Sequence, residues 1–286
     1  DVYKRQHLPM PNPDLINLLH LPFMQRAIVG GILIGLLCGL LGSFVTLRQL
    51  SFFSHAVGHA ALVGIALGVL LNVEPTWMLL PFTLIFGMAV LYLIDHTDLW
   101  SDSILNIVLS GALAIGVILT TFIQSYRGNL MGVLFGDILA VNGTDLALTA
   151  VLLIVSSVMI LTTLRQQILL TLNVAVAKVQ GVAVQWHRYM FVVLLSLTVA
   201  VSIKAVGILL VNAFLVIPAA TAKLLNQQFM PYLAMSVCLG AVSSVAGMLV
   251  SGLFNFPSGP SIVLVQFIGF LGVVGGLKLV HSRFVL

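Results

Sequence analysis

The sequence predicts an all-α bundle of eight or nine membrane-crossing helices. Three observations carry that reading. The chain is 60% hydrophobic and 7% charged, against about 25% charged residues in an ordinary soluble domain. Its mean hydropathy is +1.17, so most of its surface must face something other than water. The few charges are spaced as brackets around apolar runs of about 20 residues, the length a helix needs to cross the hydrocarbon core. Lipid offers the backbone no partners, so such runs must be helical. The alternation expected of a β-barrel is absent.

The brackets define the spans in order. Arg26 and Arg48 enclose 21 uncharged residues, Glu74 and Asp95 enclose 20, Asp102 and Arg127 enclose 24, and Asp145 and Arg165 enclose 19. A further run, Gln49–Val73, is also uncharged. Tyr189–Ile203 and Ala205–Ala222 form two shorter runs hinged at Lys204. The second contains Asn212 and Pro218, and Pro218 marks a helix break, because proline frees a backbone carbonyl. Whether Ala205–Ala222 crosses decides between eight and nine spans. Leu224–Leu277 carries no charge over 54 residues. The turn cluster Asn255-Phe-Pro-Ser-Gly-Pro260 splits it into about Pro231–Phe254 and Ser261–Val280.

Residues 1–22 read as a leader or N-terminal tail. Within it, DVYKRQHLP looks unlike the rest and is expected to be non-native, with Met10 as the true start. Residues 23–286 form one transmembrane domain. Lys and Arg placement orients it. In a nine-span arrangement with the N-terminus outside, Arg48, Arg165, Lys178, Arg188, Lys223, Lys278 and Arg283 lie inside. Arg26, Arg127 and Lys204 lie outside, as do Lys4 and Arg5 of the tail. The longest polar connection, about 165–188, is then cytoplasmic. The small positive excess, 12 Lys+Arg against 8 Asp+Glu, reads as basic loops beside a membrane, not a nucleic-acid surface. Cys38 and Cys238 both fall in apolar runs and read as small buried hydrophobes, not a disulfide.

Small residues recur every fourth position at Gly31, Gly35 and Gly39, and at Ala56, Ala60, Gly64 and Gly68. In membranes such stripes let helices approach closely, since van der Waals packing replaces the hydrophobic drive.

His55 and His59 are the candidates for chemistry. At i and i+4 they project from one face of a helix, a spacing that lets two imidazoles share one metal ion. The competing reading is a pair hydrogen-bonded for packing alone. Ionisable groups inside a membrane are costly and functional by default, which favours the metal. The stretch reads His-Ala-Val-Gly-His, so the glutamate of a metalloprotease HExxH motif is missing and hydrolysis is disfavoured. Asp95, His96, Asp98 and Asp102 read as a solvated loop. No GxxxxGK[ST] occurs, so the chain has no P-loop of its own.

Four segments, in order, resemble the membrane permease subunits of bacterial ABC importers for zinc, manganese and iron. They are PFMQRAIVGGILIGLLCGLLGSFVTLRQLSFF, HAVGHAALVGIALGVLL, LFGDILAV (Leu134–Val141) and GILLVNAFLVIPAATAKLL (Gly207–Leu225). The resemblance runs from about Pro22 to Val280. It implies a permease homodimer, two separate cytoplasmic ATPase subunits, an extracytoplasmic metal-binding protein, and a bacterial plasma membrane location. It places a coupling helix at Val174–Val182, with Ala177 and Gly181 matching its pattern, whereas Asn173 and Ala175 stand where acidic residues are common. It aligns His59 with the family histidine, while His55 replaces an aspartate in the usual Gly-Asp-Ala-x-Ser-His-Ala. It implies no permanently bound cofactor and a divalent ion as cargo; imidazole pairs favour zinc over manganese. A secondary metal transporter, an intramembrane metalloenzyme, and a vitamin or siderophore permease remain the rival readings. The first wants paired intramembrane acids, and all eight acids here sit in the tail, loops or span ends.

Overall fold

The computed structural model describes residues 21–122, 136, 138 and 141–283. Among these, eleven helices follow one another: α1 (Pro22–Leu47), α2 (Ser51–Leu70), α3 (Pro75–His96), α4 (Ser101–Thr121), α5 (Gly143–Thr162), α6 (Leu164–Leu172), α7 (Val174–Val179), α8 (Val184–Val206), α9 (Ile208–Leu225), α10 (Phe229–Phe254) and α11 (Ser258–Arg283). Eight are long and apolar enough to cross a membrane, and α9 is a shorter apolar helix. At 1.5 Å per residue the 26-residue α1 is about 39 Å long, ample for the hydrocarbon core.

The centre of the bundle is the antiparallel pair α1–α10. A Cβ on Gly35 would stand 2.4 Å from the Gly240 carbonyl oxygen, and one on Gly39 2.7 Å from that of Ser236. The close approach lets Ser236 Oγ donate to the Gly39 carbonyl (2.8 Å) and Tyr232 Oη to that of Ser43 (2.8 Å). Gly31 is looser, its nearest neighbour being Ser244 Cβ at 3.5 Å. Gly64 of the second stripe faces Phe82 on α3 at 3.0 Å, and Ala56 and Ala60 are fully buried. Because the atoms opposite Gly35 are backbone, a larger residue cannot be relieved by a rotamer change. Gly35→Val should therefore cost more than the roughly 1–3 kcal/mol of ordinary overpacking. The expected result is loss of the monodisperse folded peak in detergent, while Gly111→Ala, with nothing within 4 Å, behaves as wild type.

The direction of α9 follows from its neighbours. The start of α8 lies at the α1 C-terminal end, where Phe191 meets Phe44, and α10 starts there too, with Phe229 against Phe44. The chain leaves that end through α8 and must return to it before α10, so α9 is the return leg. It spans only about 27 Å.

Four sequence expectations change. The hinge between the two short runs is Gly207, not Lys204: its φ of +83° is open to glycine and costly for other residues. Pro218 does not break its helix; α9 runs through it from Ile208 to Leu225. The polar connection 165–188 is helical over most of its length: α6 and the first turn of α8 flank α7, which lies within the Val174–Val182 segment that the resemblance implied to be a helix. Cys238 is exposed, whereas Cys38 is buried, and both are free; Cys238 lies two residues from Ser236, on the side of α10 turned away from α1.

Candidate metal path and coupling end

Helix α2 carries both histidines. Three of its faces are assigned by contacts. Ser54 donates to Asn212 Oδ1 on α9 at 2.7 Å, and a Cβ on Gly58 would meet Ile208 of α9 at 3.2 Å. Gly64 abuts Phe82 on α3, and Phe53 approaches Gly87 of the same helix. Leu62 and Val63 meet Gly116 of α4. At 100° per residue, His55 and His59 lie within the arc spanned by Leu62 and Val63, the side that faces α4 further along the helix.

The rings stand edge to face with centroids 4.6 Å apart. The two imidazoles are therefore neighbours in contact on one helix face. His59 is 8% exposed, and its buried Nδ1 has no hydrogen-bond partner. A packing histidine would normally have that nitrogen satisfied; a ligand keeps it free. No group of three or more His, Cys, Asp or Glu side chains able to hold a metal occurs among the described residues. Two imidazoles make half a tetrahedral shell, and a conducting site must hold its ion weakly enough to release it. Asp95 and His96, the last two residues of α3, are engaged elsewhere. Asp95 pairs with Arg188 at 2.5 Å, and His96 stacks on Tyr92 at 4.0 Å.

The segment resembling LFGDILAV reaches the same region. Gly136 (φ +64°) lies so close to the Val206–Gly207 junction that a Cβ there would stand 2.3 Å from Gly207 N. Ile138 is buried against Gly31. Asp137 and the rest of that connection lie outside the described residues. Composition gave no sign of the Gly136–Gly207 contact or of the Ser54–Asn212 bond, since each joins positions far apart in the chain.

At the other end, α7 is a single short helix with well-formed caps. The Asn173 side chain accepts from the Ala175 and Val176 amides at 2.9 and 3.3 Å, so Asn173 caps α7 at its N-terminus. At the C-terminus Gly181 (φ +75°) lets its own amide reach Lys178 O and the Val182 amide reach Ala177 O, both at 3.0 Å, a Schellman closure. Ala177 is fully buried with Leu170 and Val184. The outer side of this end carries exposed apolar groups, Val179 at 89% and Trp186 at 69%.

The chain is thus a polytopic helix bundle with paired imidazoles inside one span and a capped short helix at one end. The chain belongs to the ABC 3 transport family, whose model matches residues 20–275. It is 31% identical to the high-affinity zinc uptake system membrane protein ZnuB of Haemophilus influenzae, over 83% of this chain and 91% of that one. It is 32% identical to the manganese transport system membrane protein MntC of Halalkalibacterium halodurans, over 87% and 85%. Among solved structures it is similar to PsaBC from Streptococcus pneumoniae, in complex with Fab, with a TM-score of 0.79, 32% identity, and 91% and 94% of the two chains covered. The eight apolar spans and the family together make it a multi-pass membrane protein.

Proposed function

We propose that this chain is the permease subunit of an ATP-driven importer that moves a divalent metal, zinc in preference to manganese, across a bacterial plasma membrane into the cytoplasm. The observation that carries the reading is the imidazole pair in α2, with the unpartnered Nδ1 of His59, in a chain of a transport family. His55 and His59 line the path and hold the ion in passing. Two permease copies form that path, and an extracytoplasmic metal-binding protein delivers the ion. Separate ATPase subunits dock on the end that carries α7, where Ala177 and Gly181 fix the helix and the exposed apolar side chains around Val179 and Trp186 offer a surface for them.

The preference for zinc rests on ligand chemistry. The similar proteins include both a zinc and a manganese system, but a nitrogen pair suits zinc, while oxygen-rich sites suit manganese. The test is co-purification with the ATPase subunits, followed by reconstitution with the binding protein and the two metals in competition. Zinc should stimulate ATP hydrolysis and enter the vesicles, and manganese should compete weakly. Uptake that follows a proton or sodium gradient without ATP would replace this reading with a secondary transporter.

A further inference from the structure

A second site lies at the end of the bundle that carries α7. A cavity of about 320 Å³ opens there between the α1–α2 corner, α3, the start of α4, α6 and the start of α8. Its polar lining includes Arg48, Gln49, Ser101, Thr171 and Arg188. Arg48 follows the last residue of α1, and Gln49 takes a φ of +57° to turn the chain into α2.

The Arg48 guanidinium is hydrogen-bonded from α6 only. Nε donates to Thr171 Oγ1 at 3.1 Å, and Nη2 donates to Gln167 O at 3.2 Å and Gln167 Oε1 at 2.6 Å. Its carbon lies 4.4 Å from the Phe191 ring centroid and 5.5 Å from that of Phe44. Every group that accepts from it is neutral, and Nη1 donates to none of them. Burial, then repulsion from Arg188, push the Arg48 guanidinium down to about 10, so it stays charged at neutral pH. Arg188 uses one nitrogen on Asp95 and turns towards the same cavity. Two cations and one carboxylate leave an uncompensated positive charge in a half-desolvated space, which is costly unless an anion joins them.

We infer that this cavity binds a phosphate group, received by the free Nη1 of Arg48 and by Arg188. Guanidinium forks match phosphate oxygens in geometry as well as charge. The volume sits at the lower end of the range for small-molecule pockets, about 300–1,000 Å³, which suits a headgroup or a free ion. The lining residues lie at the ends of the spans, where α1 passes into α2 and α3 into α4. Trp100, 84% exposed beside Ser101, and Trp186, two residues before Arg188, both stand at this end, as interfacial tryptophans do. Basic pockets between helices on the cytoplasmic side are where anionic headgroups bind. Bound phosphate would tie the root of the histidine helix to α8 and, through Gln167 and Thr171, to α6.

The test uses the full chain in nanodiscs of phosphatidylcholine alone or with phosphatidylglycerol, and in detergent with inorganic phosphate. Native mass spectrometry counts retained lipid, and thermal unfolding reports binding of either probe. Phosphatidylglycerol retained through a phosphate wash identifies a lipid site, and a rise in midpoint with inorganic phosphate alone identifies a free-ion site; both support the inference. Arg48→Gln and Arg188→Gln should each weaken binding at least about tenfold, while Arg165→Gln, exposed on α6 outside the cavity, should not. Arg188 is only partly buried, so its variant should fold even if Arg48→Gln does not. Binding unchanged in the Arg188→Gln chain, or no binding of either probe, would overturn the inference. The readout needs no transport, so its failure would leave the permease reading standing.

Discussion

Metal uptake should fall by about 100-fold or more when His55 and His59 are both replaced by alanine, in a chain that is expected still to insert and fold. Loss of outer-shell groups alone costs metal sites about 10–100-fold, and here both proposed nitrogen ligands go. His59 should matter more. It is the more enclosed ring, and its buried Nδ1 has no protein partner. The rings touch each other, so the single effects should not add. Removing the buried His59 ring also leaves a void, with its own cost in stability. His59→Gln keeps much of the volume and should lose transport with a smaller change in unfolding midpoint. The measurement is uptake of radioactive zinc into reconstituted vesicles beside a thermal melt. Wild-type uptake in the double variant would remove the histidines from the path.

Two companion measurements separate ligation from packing. Imidazolium cannot bind a metal, so uptake should weaken as pH falls far enough to protonate the pair, and the double variant should lose that dependence with its activity. His55→Asp restores the carboxylate common at this position in the resembled family. It should keep uptake and move the preference from zinc towards manganese, because an oxygen ligand replaces a nitrogen one. A packing role for His55 predicts no change in metal preference.

What could be read from the sequence follows from what lipid forces on it. Spans α1 and α3 to α5 were bracketed by charges because an ionised group inside hydrocarbon is costly, and their ends fall within a few residues of Arg48, Glu74, Asp95, Asp102 and Asp145. The same rule misplaced the break near residue 205. Lys204 looked like a boundary, yet the chain turns at Gly207, whose positive φ leaves no mark on hydropathy. The helix α6 leaves no mark on hydropathy because it is short, and α7 was marked only by the family resemblance, since it depends on two caps more than on an apolar period. The i, i+4 spacing exposed the histidine pair because it is local. In sequence Arg48 reads only as a span boundary and an inside charge, since Gln167 and Thr171 lie 119 and 123 residues away and only the folded chain brings them together.

Gly136→Ala should abolish uptake almost as completely, from a position that contributes no ligand. The added Cβ would stand 2.3 Å from Gly207 N, 2.4 Å from Val206 C and 2.9 Å from Val206 N. All three are backbone, and the Gly207 amide is already tied to the Ile203 carbonyl at 2.8 Å, so the neighbour has little room to yield. Gly136 itself has a φ of +64°, which costs an alanine roughly 1–2 kcal/mol before any clash, with about 1–3 kcal/mol more for the overlap. The strain falls where it does most harm. Gly207 is the hinge between α8 and α9, and the next residue, Ile208, rests against Gly58, which lies between the two histidines in sequence. Moving the hinge therefore shifts α9 against the histidine helix and stresses the Ser54–Asn212 hydrogen bond. Gly143→Ala, a few residues on and with nothing within 4 Å, should transport as wild type. Equal uptake by Gly136→Ala and Gly143→Ala would show that the Gly136–Gly207 contact does not set the path.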